Sequence, residues 1–314
     1  MRTIGTLPKM TAPITVDGTH APRVEIHDPR TLLNTGPSPR GWHRLELALR
    51  CPRLYAYVYI LKIKLPPALP LIRGTLRHVG LAHYYARLRA MQRGEDPEVF
   101  YAPREAIQRA AVAIDAEFHG DVASKLALTH ADMPGEYATV HAPEEDGLEI
   151  LEVEHVHEAN VGGHRYTARF DLVLKDRNGR IWIYDHKGAA RPDKRTVTSY
   201  SLSGQILGLQ RFGAALYGNA FGGVRLNFIS GDALPFKYLR ETPAPAPAAL
   251  AQFPATVRYA EARIAQIEAC PNPWDVEAVF SDVVCVHRYG RCPGYDLCAW
   301  GDAGLPLLRL GEAE

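Results

Sequence analysis

The chain has 314 residues, of which 46% are hydrophobic and 23% charged, with a formal net charge of +1. That balance excludes a disordered chain and supplies a substantial core for one elaborated domain or two small ones. It also excludes a global positive field, so any nucleic-acid surface is local.

Residues 1–40 carry repeated prolines and little periodicity, and read as an irregular arm. The opening MRTIGTLPKMTAPITVDGTH lacks a signal peptide's apolar stretch, and no later run is long enough to span a bilayer. A cytoplasmic protein with no membrane partner is expected. Residues 41–135 read as helical. WHRLELALR leads to Cys51, and Pro52 suits the first position of a new helix. GTLRHVGLAHYYARLRAMQRG predicts a long helix from near Gly74 to Gly94, and PREAIQRAAVAIDAEF another.

The texture changes near residue 147, inside a segment at 136–235 that holds the strands. LEILEVEHVHE alternates apolar and polar residues, as a half-buried strand does. HRYTARFDLVLKD predicts a second strand, Arg177–Gly179 a hairpin turn, and RIWIYDHK a third strand. VTSYSLSGQILGLQRFGAALYG predicts one helix and GVRLNFIS a further strand. Residues 236–314 begin with a proline–alanine linker, ETPAPAPAAL. A helix near 255–269 and a cysteine-rich end follow. No internal repeat is evident.

The third strand ends on Asp185, His186 and Lys187. A tight turn between the second and third strands brings Asp171 and Asp185 to one end of the sheet. Two neighbouring carboxylates repel unless a cation sits between them, and hard oxygen ligands suit Mg²⁺ or Mn²⁺. Lys187, two residues beyond Asp185, points to the same face. An ammonium there can orient a water or stabilise charge on a phosphate.

This pattern resembles the PD-(D/E)XK nuclease superfamily, in its RecB-like and CRISPR-associated exonuclease branch. CPRLYAY, RGTLRHVGLAH, GQILGLQRF and CVHRYGRCPGYDLC match that branch in chain order, from about residue 45 to 300. The resemblance implies a restriction-endonuclease-like α/β core, a mixed central sheet flanked by helices. An N-terminal helical region and a C-terminal cysteine staple would accompany it. It implies that His78, Asp171, Asp185 and the carbonyl of His186 hold Mg²⁺ or Mn²⁺, with Lys187 and Gln205 completing the catalytic set. Glu154, one strand before Asp171, stands where relatives often have a glutamate, with a second-metal or a structural role. Two departures stand out. Leu209 occupies the usual tyrosine position after Gln205, with Tyr200 and Tyr217 out of register, and His186 replaces a bulky residue. His43, His83, His155, His157 and His164 have no motif context and read as surface or satisfied core.

Of five cysteines, Cys285, Cys292 and Cys298 crowd the C-terminal end without the tight pairs of zinc ribbons. Cys51 would be the fourth ligand, from far away in sequence. This one-plus-three arrangement resembles the branch's [4Fe–4S] staple, with Zn²⁺ at the same positions or buried free thiols as alternatives. Cys270 falls outside the pattern.

The function implied is a metal-dependent deoxyribonuclease. A RecB-like exonuclease on single-stranded DNA or DNA ends is expected, with a possible helicase or recombination/integration partner. The alternative is a catalytically silent DNA-binding or assembly subunit. The basic run at 191–195, with Arg44, Arg50 and Arg53, offers phosphate contacts. Tyr55, Tyr57 and Tyr59 offer stacking surfaces or core.

Overall fold

The computed structural model describes residues 32–33, 36–189, 193–231, 234–244, 246–281, 283–287 and 290–307. Most of the expected arm, and Arg191 of the basic run, lie outside them. Helix α1 (Trp42–Arg50) ends where Cys51 turns to extended backbone, and Pro52 opens α2 (Pro52–Tyr55), which widens into a π-turn at Ala56–Ile60. The long helix α3 (Leu69–Arg93) starts ahead of Gly74, because Pro70 sits in its first turn, where a missing N–H leaves no bond unmade. It stops at Gly94, as expected. Helices α4 (Pro103–Phe118), α5 (Val122–His130) and α6 (Met133–Glu145) complete the helical region.

The sheet begins with β1 (Glu149–Val161), β2 (His164–Lys175) and β3 (Ile181–Gly188). The expected single helix is two, α7 (Lys194–Tyr200) and α8 (Gly204–Tyr217). Then come β4 (Phe221–Ser230) and a strand the sequence did not announce, β5 (Lys237–Glu241). β5 is short, half-exposed and charged at both ends, so its alternation is faint. Spatial order follows chain order, β1-β2-β3-β4-β5. All neighbours are antiparallel except β3 and β4, which the α7–α8 crossover makes parallel. Helix α9 (Pro247–Glu268) begins inside the proline–alanine linker, with Pro247 in its first turn. A two-residue hairpin of β6 (Val286–His287) and β7 (Gly290–Arg291) precedes α10 (Tyr295–Trp300). Among the described residues the result is a mixed central sheet flanked by helices, the fold class expected from the sequence.

Each face of the sheet buries a different helix set. Phe170, Val173, Ile183 and Leu226 pack with Leu45 of α1, Phe212 of α8 and Phe253 of α9. Leu172, Leu174, Tyr184 and Ile229 pack with Tyr85 of α3 and Tyr137 of α6. Helices α3, α4 and α5 share a third apolar cluster around Leu76, Ile107 and Val122. The start of α8 is fixed by close approach: a Cβ on Gly204 would lie 2.3 Å from the Trp42 ring. That contact sets the next residue, Gln205.

Two histidines make the core acid-sensitive. His83 of α3 is fully buried, its ring 5.4 Å from that of Tyr101, and neither ring nitrogen has a hydrogen-bond partner. It is core, as one of the two sequence readings allowed, but it is not satisfied. Burial lowers its pKa to about 4. His141 of α6 is likewise lowered to about 4, by burial and then by Arg240. An unfolded histidine titrates near ~6.5. The folded values lie below that, so the folded state binds fewer protons. The stabilisation is therefore complete above the unfolded pKa and is lost as pH falls from there toward about 4. For His83 alone the loss is roughly 3 kcal/mol at its limit. Urea midpoints should fall between pH 7.5 and pH 5, and His83→Leu should flatten that decline. An equal decline in the variant would contradict this account.

Candidate active site

β2 and β3 are paired in register at Leu172 and Tyr184, so the next residues along, Asp171 and Asp185, meet at the same end of the sheet. The backbone N–H of His186 donates to Asp171 Oδ2 at 2.8 Å. Asp185 Oδ2 lies 2.6 Å from Lys187 Nζ, as expected for residues two apart on a strand. Gln205, at the start of α8, joins them. Its Nε2 donates to Asp185 Oδ1 at 2.9 Å, and its Oε1 accepts from Lys187 Nζ at 3.0 Å. Asp185, Lys187 and Gln205 are thus linked by two hydrogen bonds and one ion pair.

Helix α3 brings His78 to the same sheet end. Its Nδ1 is 3.5 Å from Asp171 Oδ2 and 3.9 Å from Glu154 Oε1, and its Nε2 is 3.0 Å from the carbonyl oxygen of His186. The ligand atoms of His78, Glu154 and Asp171 all lie within 4.8 Å of one another. Every residue expected at the site is therefore gathered here, and Glu154 joins it more closely than its sequence position suggested. The backbone of Glu154 is left-handed, with φ of +48°, which takes its side chain out of regular strand alternation.

The electrostatics are those of a cation site. Burial raises the pKa of Asp171, with His78 opposing and Glu154 reinforcing the rise. Burial also raises that of Asp185, Lys187 opposing. Burial alone would lower His78, yet Asp171 and Glu154 outweigh it and push the imidazole up to about 9. Burial would lower Lys187 too, but Asp185 and Asp171 hold it above its ordinary value. Lys187 is thus a fixed ammonium and not a base at neutral pH. Three buried carboxylates beside an imidazole and a carbonyl fit a divalent cation. Glu154 Oε2 and Asp185 Oδ2 both lack a hydrogen bond and face Arg169 at 3.9 Å and Lys187 at 2.6 Å.

A buried polar network backs the site from the other face. Asn227 of β4 donates through Nδ2 to His186 Nδ1 at 2.8 Å and to the Tyr137 hydroxyl at 2.9 Å. Arg240 of β5 donates to the same hydroxyl at 2.6 Å and pairs with Glu145. The Tyr85 ring stacks on His186 with 6.1 Å between centroids. Sequence reasoning missed these residues. The available signal was Asn227, a polar residue in the apolar strand GVRLNFIS. Tyr200 of α7 places its ring 6.0 Å from Lys187 Nζ, while Leu209 is buried. A tyrosine therefore does neighbour the lysine, from a different helix.

Two of the candidate phosphate contacts are engaged elsewhere, and Tyr55 and Tyr57 take the core alternative, while Arg50, Lys194 and Arg195 are exposed. Arg44 bonds Glu261 at 2.7 Å, and Arg53 Nε donates to the Val276 carbonyl at 2.7 Å. Both guanidinium groups are engaged in packing α1 and α2 against the C-terminal part of the chain. Tyr55 and Tyr57 are buried, and Tyr59 stacks on Tyr55 at 4.9 Å, so Tyr55 and Tyr57 are core. His43 is exposed as well, and His164 half-buried.

Cys51, Cys285, Cys292 and Cys298 line one cavity of about 200 Å³ with Leu54, Phe280 and Val284. All are free thiols. Burial raises the thiol pKa of Cys292 and of Cys298, and the neighbouring Cys51 adds to each. The C-terminal segment reaches α2 closely: a Cβ on Gly294 would meet Leu54 at 2.9 Å. Cys270 lies elsewhere, its Sγ bonding the Asn272 carbonyl at 3.3 Å.

No curated protein matches the sequence. A solved structure, "Crystal structure of SSO0001", is similar at 19% identity over 51% of this chain and 71% of its own, with a TM-score of 0.24. That overlap is too low to speak to the fold. The family comparison speaks directly, because its match runs over residues 42–299, from α1 through every site residue to the last cysteine. With the two strands, the paired aspartates and the lysine in place, the chain belongs to the PD-(D/E)XK nuclease superfamily.

Proposed function

We propose that the protein is a Mg²⁺- or Mn²⁺-dependent deoxyribonuclease of the RecB-like type, acting on single-stranded DNA or DNA ends. The observation that carries this is the meeting of Asp171, Asp185, Glu154, His78 and Lys187 at one sheet end. His78, Asp171, Asp185 and the His186 carbonyl would hold the metal, with Glu154 beside them. When bound, the metal supplies a Lewis acid to the scissile phosphate and a lowered pKa to a water. Lys187, held by Asp185 and Gln205, presents a permanent positive charge that orients the attacking water and stabilises charge on the phosphate. Gln205 acts by fixing the lysine, since both its amide ends are already committed. Cleavage assays with and without EDTA, with Asp185→Ala as control, test the proposal. Cleavage that survives both would refute it.

Two expectations follow for metal binding. A protonated His78 must lose its proton to become a ligand, and its metal-free pKa is about 9. Apparent Mn²⁺ affinity, measured by calorimetry, should therefore rise with pH up to that value. His78→Ala should weaken Mn²⁺ binding by ~10–100-fold and remove this part of the pH dependence, with excess Mn²⁺ restoring part of the rate. Unchanged affinity in the variant would exclude His78 as a ligand.

The cysteine cavity is read as a [4Fe–4S] site. Four thiolates suit such a cluster. Tetrahedral Zn²⁺ on the same four thiolates is the alternative.

A further inference from the structure

β1 carries a second group of ligand-type side chains. The ligand atoms of Glu152, His155 and His157 all lie within 4.8 Å of one another. His157 Nε2 is 2.7 Å from Glu152 Oε2, and the two imidazole rings are 4.6 Å apart. The Tyr217 hydroxyl, at the end of α8, donates to the other carboxylate oxygen, Oε1, at 3.2 Å. His157 also packs on Phe170, 4.4 Å between rings, and Phe170 belongs to the core on the α8 face. This group therefore faces α8, whereas His78 approaches Glu154 from α3 on the other side.

One backbone feature produces both groups. In a regular strand, residues 155 and 157 share a face and residue 152 lies opposite. The left-handed backbone at Glu154, beside the register shift between Ile150 and Glu152, resets that alternation. Val153 stays in the α3-side core, and Ala159 and Val161 fall in the α8-side core. Glu152 thereby joins the two histidines, while Glu154 turns to His78 and Asp171. A bare ion pair would need only Glu152 and His157. The second imidazole, and a hydroxyl bonded to the carboxylate's remaining oxygen, go beyond that need.

We propose that Glu152, His155 and His157 form a second divalent-metal site, selective for a transition ion such as Zn²⁺ over Mg²⁺. Two imidazoles and one carboxylate form a ligand set that Zn²⁺ and its neighbours accept, while Mg²⁺ demands an oxygen shell. Three protein ligands leave positions for water. Tyr217 supplies the outer hydrogen bond that orients a ligating carboxylate. A metal here ties together the residues on both sides of Glu154, and so fixes the distortion that delivers Glu154 to the first site. The site goes beyond the nuclease reading and stands without it.

The test counts Zn²⁺ bound per chain by equilibrium dialysis and elemental analysis, on full-length protein purified without oxygen and with its cysteine centre intact. Wild type, His155→Ala and Asp171→Ala are compared. His155→Ala keeps the Glu152–His157 hydrogen bond but removes a ligand, so it should bind one equivalent fewer than wild type. Asp171→Ala should keep that equivalent, and the cysteines contribute equally to all three. If His155→Ala does not fold, His155→Gln retains size and polarity and should show the same loss. Equal Zn²⁺ in wild type and the folded His155 variant overturns the site. Retention of cleavage or its loss in Asp171→Ala bears only on the nuclease reading.

Discussion

Lys187→Ala should lower DNA cleavage by ~10²–10³-fold with the fold retained, the scale seen when a preorganised charge donor is removed. Two effects act together. The ammonium that faces the phosphate is gone, and Asp185 loses its ion pair at 2.6 Å. Asp185 is buried and its pKa is already raised by that burial, with Lys187 the leading opposing influence. Without the lysine the pKa rises further, so the carboxyl is more often protonated and a poorer metal ligand. The variant should therefore lose rate and metal affinity together, with part of both regained at higher pH. The fold survives because Lys187 sits at a strand end, outside the apolar clusters. The check is a Mn²⁺-dependent assay on single-stranded and end-bearing DNA, alongside thermal melting. Full activity in Lys187→Ala would end the mechanism, whereas loss of activity with a collapsed melting temperature would point to folding.

The β2–turn–β3 hairpin and its acids were legible because short-range rules govern them. Alternation sets which face a side chain takes, Arg177–Gly179 sets the turn, and the register of Leu172 with Tyr184 follows. The break between α7 and α8 was not legible. Ser201–Ser203 holds neither proline nor glycine, and the break appears where the α8 start docks on Trp42. Glu154 was named in the sequence with a metal or a structural role left open, and its direction was not legible for a similar reason. Alternation predicts its direction, and its left-handed backbone overrides that prediction. The same override concealed the grouping of Glu152 with His155 and His157. Arg44 and Arg53 misled because charge alone does not reveal a partner more than two hundred residues away, such as Glu261 or the Val276 carbonyl.

Cys51→Ala or Cys292→Ala should make the protein unstable or insoluble, while Cys270→Ala should be nearly silent. A cluster joining Cys51 to Cys285, Cys292 and Cys298 closes a loop of more than two hundred residues. On a chain-entropy scale, cross-linking so long a loop restricts the unfolded ensemble by roughly 5 kcal/mol, and the cost grows only slowly with length. Metal-binding energy then becomes folding energy, because the unfolded chain has no preformed site. Apart from the cavity, the described C-terminal segment is anchored by a few side chains, Val276 and Leu297 among them. Its strands are two residues each, and Phe280, Val283 and Trp300 are exposed. Cys270 lies outside the cavity, partly buried at the edge of the core with a hydrogen bond within its own loop. Protein purified without oxygen should be brown, with broad absorption near ~400 nm from thiolate-to-iron charge transfer. A colourless anaerobic preparation with stoichiometric zinc would replace the cluster by a zinc staple and leave the stability prediction in force. Soluble, fully stable Cys51→Ala protein would show that the four thiols meet around their cavity without holding the chain ends together.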